Sequence, residues 1–216
     1  MLERIFCGMW LHELGHAATA WLLGYAAFPG PWLTPMASER SLLFSLLVPA
    51  ILLALAARAW RAEKIAAAAL LAASAPLLYF LASRVSPARA RELIVFFGDG
   101  GALIFGTLCM LTLYAPVGSQ LKRGWLRWGF LAIGAAAYAD VATVWWGARS
   151  DVDLIPYGLI EGVGLSDPSV LSERFGWSAS MLVARYCLLA GACFVVLAAA
   201  WLRGILIEPE LSELED

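Results

Sequence analysis

Charge is scarce in this chain of 216 residues: Asp, Glu, Lys and Arg together make up 15% of it, against about 25% in an ordinary soluble domain. The sign balance is also flat, with 15 Lys and Arg against 17 Asp and Glu. That excludes the basic surface a nucleic-acid binder needs, so no nucleic-acid partner is expected. Histidine occurs only twice. The 4 cysteines, Cys7, Cys109, Cys187 and Cys193, all fall in apolar stretches and read as small hydrophobes rather than a disulfide framework. No internal repeat is visible. What the chain has is apolar surface: 62% hydrophobic residues and a mean hydropathy of +0.76. Disorder is excluded by the same figures, and a polytopic membrane protein remains.

A spanning helix needs about 20 mostly apolar residues. Six stretches meet that length: Ile5–Phe28, Leu42–Trp60, Ile65–Val85, Leu93–Ala115, Leu126–Ala148 and Ser180–Leu202. None alternates as a lipid-facing barrel strand would, so an all-α helix bundle is expected as one domain over residues 1–204. The acidic tail 205–216 is expected to be solvated and without structure. Trp32, Trp60, Trp125, Trp128, Trp145, Trp146, Trp177 and Trp201 fall near the span ends, where an aromatic belt meets the headgroups. Arg4, Arg58, Arg61, Lys64, Lys122, Arg123, Arg127 and Arg203 lie on the side of the termini, against Arg40, Arg84, Arg89, Arg91, Arg149 and Arg174 opposite. That excess orients both termini toward the cytoplasm. The opening stretch is not read as a signal peptide, because His12 and Glu13 would fall inside its apolar core.

The two histidines form one pattern, His12-Glu13-Leu14-Gly15-His16. Four residues apart on a helix, both imidazoles reach a single Zn²⁺, and Glu13 stands beside the metal, where it can take a proton from water. Ionisable side chains at membrane depth each cost several kcal/mol unless they are satisfied, so three on one apolar helix need a reason. The bland reading is that they only hydrogen-bond to neighbouring helices. Bis-histidine haem ligation is excluded, since one helix cannot supply both axial groups.

With His12-Glu13-Leu14-Gly15-His16-Ala17 in a first spanning helix and several spans after it, the sequence resembles the site-2-protease-like intramembrane zinc metalloproteases. The resemblance implies peptide-bond hydrolysis in membrane-embedded or membrane-proximal substrates by a metal-activated water. His12 and His16 would be zinc ligands and Glu13 the general base. A catalytic zinc keeps three protein ligands, and there is no third histidine. Three aspartates compete for the last place. Asp167, in Gly164-Leu165-Ser166-Asp167-Pro168, is similar to a Ser-Asp-Ala element before the last span of a compact six-span bacterial and plant branch; it ranks first. That branch points to a bacterial plasma membrane. The same residues are also a good helix N-terminus over Val170–Glu173. Asp99, in Phe97-Gly98-Asp99-Gly100-Gly101, looks like the Leu-Asp-Gly-Gly element of other members and is the alternative ligand. Asp140 ranks third, with a structural role paired to a partner such as Arg185.

Hydrolysis in lipid needs water, and the glycine-rich region Gly98–Gly101 and the linker Arg149–Ala179 are the candidate paths. Family members often hold substrate as an added strand just after the motif helix. Here Phe28-Pro29-Gly30-Pro31-Trp32-Leu33-Thr34-Pro35 stands in that place, and its three prolines remove donors a strand would use. The competing function is a non-catalytic membrane scaffold, a degenerate protease that binds client helices. A transporter would show paired broken helices, and no such symmetry exists.

Overall fold

A computed structural model describes residues 8–115, 119–122, 124–160 and 164–212. The described chain is an all-α bundle with two short hairpins. In order it runs α1 (Met9–Leu22), β1 (Tyr25–Ala27), β2 (Met36–Arg40), α2 (Leu42–Arg61), α3 (Ile65–Arg84) and α4 (Pro87–Leu111). There follow α5 (Leu126–Gly147), β3 (Leu159–Ile160), β4 (Gly164–Leu165), α6 (Asp167–Phe175) and α7 (Ala179–Ser212). Among the described residues five helices, α2, α3, α4, α5 and α7, are long and apolar enough to cross a membrane. The sixth expected crossing, the motif helix, is described from Met9 and spans 14 residues.

Three boundaries differ from expectation. The opening apolar stretch does not stay helical to Phe28. Gly24 takes a φ of +85°, a conformation glycine adopts without strain, and the chain leaves α1 into β1. α7 continues through Leu202 to Ser212, so the tail expected to lack structure is helical for most of its length. α4 starts earlier than expected because Ser86 caps it, accepting from the Arg89 amide, with Pro87 in the first turn.

α4 is the central post. α1 crosses it where glycines remove every obstacle: a methyl group on Gly15 would strike the Phe97 carbonyl oxygen and come within 2.8 Å of the Gly101 Cα. α5 crosses it through Gly106 and Gly134 in the same manner. This close approach by small residues is how helices pack without a hydrophobic driving force between them. α4 also breaks its helical geometry at Phe97 (φ −84°, ψ 15°), one turn from the residues that matter below. Behind the crossing lies a core of Leu103, Trp145, Leu171, Leu182 and Tyr186, all fully buried. Trp145 and Trp177 therefore turn inward rather than joining an interfacial belt, whereas Trp60, Trp125, Trp146 and Trp201 do face outward. α2 and α3 pack on each other and expose most of their apolar side chains, an arrangement suited to lipid and not to water.

The first hairpin is tied down by Arg40, which donates from Nε to the Leu23 carbonyl (3.0 Å) and from a terminal nitrogen to the Val85 carbonyl (2.6 Å). β1 and β2 pair antiparallel, Tyr25 with Arg40 and Ala27 with Met36. The proline-rich segment is thus not a substitute for a strand. It is the turn between two strands, closed by Phe28 N–H to the Pro35 carbonyl (3.1 Å) and Gly30 N–H to the Leu33 carbonyl (3.2 Å).

Candidate functional site

On α1, His12 and His16 face α4 with their Nε2 atoms 3.1 Å apart. Each ring is oriented from behind. His16 Nδ1 donates to the Ile94 carbonyl (2.7 Å) and His12 Nδ1 lies 3.0 Å from Asp99 Oδ1. A carbonyl and a carboxylate can only accept, so in the neutral rings both protons sit on Nδ1 and both Nε2 atoms present lone pairs.

The third member comes from α6. Asp167 Oδ2 lies 3.1 Å from each Nε2. It is buried and accepts no aligned hydrogen bond among the described residues. Among the described residues, His12, His16 and Asp167 are the group of metal-type donors that converge on one point.

Three lone-pair atoms at mutual distances of 3.1 Å repel unless positive charge sits among them. A proton on one nitrogen relieves one contact; a cation relieves all three. Three ligands at about 2.0–2.1 Å in tetrahedral array stand about 3.3 Å apart, so the triangle fits zinc with little movement. Paired imidazoles with a carboxylate suit that metal.

Ser166 caps α6 by position and Pro168 occupies its first turn, so the helix-start reading of Ser-Asp-Pro holds as well: the helix that begins here delivers Asp167 to the histidines. Gly98 makes the room. A methyl group there would stand 2.5 Å from Asp167 Oδ2 and 2.6 Å from the His16 ring. Gly98, Gly100 and Gly101 are buried against their neighbours, so the glycine run serves close packing. Asp99 sits on the far edge of the His12 ring from the converging atoms, its Oδ2 accepting from Trp145 Nε1 (2.8 Å). Asp140 is on α5, outside the converging group, and Arg185 lies with its guanidinium 3.9 Å from the centre of the Trp177 ring.

Glu13 is 4% exposed. The Thr34 hydroxyl, in the turn of the first hairpin, lies 2.6 Å from Glu13 Oε2 and 3.0 Å from its carbonyl oxygen. Neither Thr34 nor Trp145 is marked in the sequence as a site residue. Thr34 carries no motif, and Trp145 has the same signature as a belt tryptophan. No family model, curated protein or solved structure matches this chain.

Proposed function

We propose that the chain is an intramembrane zinc metallopeptidase of the site-2-protease-like kind, set in a bacterial plasma membrane with both termini cytoplasmic. One observation carries the reading: two imidazole Nε2 atoms and one carboxylate oxygen converge at 3.1 Å, with the outer nitrogens already engaged. A purely structural zinc is closed by four protein ligands, whereas a catalytic one keeps a position open. Three ligands, with a buried carboxylate on the residue next to His12, match the second pattern.

When bound, zinc supplies the Lewis acidity that makes water a nucleophile near neutral pH and polarises the scissile carbonyl. His12, His16 and Asp167 would hold that metal. Glu13 receives the proton released by the attacking water and returns it to the departing amine. Thr34 keeps the Glu13 carboxylate in one orientation through its hydroxyl. The substrate bond must leave its own helix to react, because helical carbonyls are already hydrogen-bonded.

The test uses the full chain in proteoliposomes with a panel of membrane-spanning peptides. Cleavage by the natural sequence, its loss in Glu13→Gln with zinc still bound, and loss of both cleavage and zinc in His12→Ala are expected. A scaffold that binds client helices without cutting predicts no cleavage by the natural sequence and undiminished client capture by Glu13→Gln; that result would overturn the proposal.

A further inference from the structure

Asp99 is absent from the converging atoms, yet both of its carboxylate oxygens are engaged. Its Oδ1 faces His12 Nδ1 at 3.0 Å and its Oδ2 accepts from Trp145 Nε1 at 2.8 Å. We propose that Asp99 and Trp145 are a positioning pair for the metal centre: Trp145 fixes the Asp99 carboxylate, and Asp99 fixes the His12 ring and places negative charge behind it. The inference rests on reading His12, His16 and Asp167 as metal ligands.

Three features of the surroundings argue for it. First, Trp145 cannot swing away. It is fully buried and stacks on Tyr186 with ring centres 4.2 Å apart at 23°. Tyr186 in turn stacks on Phe96 at 4.7 Å and donates from its hydroxyl to the Phe96 carbonyl (3.0 Å), beside the break in α4. The indole N–H is a donor only, so it selects a carboxylate oxygen and leaves the other for His12 alone.

Second, the two imidazoles are not treated alike. His16 has a neutral carbonyl behind it, that of Ile94, while His12 has an anion. A ligating histidine backed by a carboxylate has its tautomer and ring angle fixed and becomes a stronger donor, and loss of such a partner weakens metal binding about 10–100-fold. Third, Asp167 brings one negative charge to a divalent ion. A net charge left in a low-dielectric interior is costly. Asp99, from behind His12, and the buried Glu13 carboxylate bring further negative charge near the ion without being among the converging atoms.

The experiment measures zinc affinity of the detergent-solubilised full chain by chelator competition, together with the visible absorption of bound Co²⁺. The natural sequence is expected to bind one equivalent. Asp99→Asn, which keeps the size of the side chain, is expected to bind about tenfold more weakly or worse, and Trp145→Phe, which keeps an aromatic ring and loses the N–H, is expected to weaken binding measurably but by a smaller factor. Both retain the Co²⁺ spectrum of the natural sequence, since neither residue is a ligand. Trp177→Phe is the control: this buried tryptophan donates to Glu92 (2.6 Å), and its affinity stays unchanged. Should Asp99→Asn fail to fold, Trp145→Phe carries the test alone. Natural affinity in Trp145→Phe, or equal weakening in Trp177→Phe, overturns the positioning pair while the metal reading stands. A changed Co²⁺ spectrum in Asp99→Asn makes Asp99 a ligand and overturns it too. No metal bound by the natural sequence removes both this inference and the reading beneath it.

Discussion

Gly98 is defined by what it leaves empty. Its missing side chain is the space in which Asp167 Oδ2 and the His16 ring meet, at 2.5 and 2.6 Å from where a Cβ would stand. Overfilling a packed site costs about 1–3 kcal/mol. Gly98→Ala is therefore expected to lower the melting temperature modestly and to abolish stoichiometric metal uptake, as measured by metal content after gel filtration. Metal content equal to that of the natural sequence would show that the site tolerates the methyl group. The pair of histidines is legible in the sequence alone, because residues at i and i+4 share a helix face whatever surrounds them. The third acid is not legible from spacing: Asp99 and Asp167 both lie in glycine-containing runs, and only the fold decides that one faces Nε2 and the other Nδ1. Trp145 is hidden for a different reason. A tryptophan at the end of an apolar helix reads the same whether it faces headgroups or a carboxylate.

The crossing of α1 and α4 is the element on which the site depends, since α4 supplies both groups behind the histidine rings, the Ile94 carbonyl and Asp99. At that crossing backbone meets backbone, so nothing flexible can yield to an added methyl group. Gly15→Ala is expected to push the helices apart, destabilise the fold by about 1–3 kcal/mol and weaken metal binding at the same time. Chemical unfolding in detergent and chelator competition measure the two effects. A destabilised protein with unchanged affinity would mean that the crossing does not set the site. The helices themselves are legible from length and hydropathy, with most of their ends close to the expected ones. The first hairpin is not. Tyr25–Ala27 continues the apolar run of α1, and hydropathy alone does not register the turn that Gly24 makes. The helix ends at Leu22, well before the first proline, and the strands flanking the prolines depend on pairing between residues as far apart as Tyr25 and Arg40.

At the scale of the molecule, six alternating crossings would put the α2–α3 turn on the side of the termini and the segment after α5 on the other. Single cysteines at Glu63 and Asp151, in a chain otherwise free of cysteine, are expected to react with a membrane-impermeant thiol reagent from opposite faces of sealed vesicles. Labelling of both from one face would break the six-crossing layout. The composition points to membrane residence, and the five long helices agree with it.

His16 lies 6 residues before the end of α1 at Leu22, which at 1.5 Å per residue is about 9 Å of helix. With 7 residues of α1 before it and 6 after, His16 stands midway along the described helix. On the proposed reading, a spanning substrate cut at such a mid-helix level would be left as two stubs of similar length, each too short to cross the hydrocarbon by itself, so that both products could leave the bilayer.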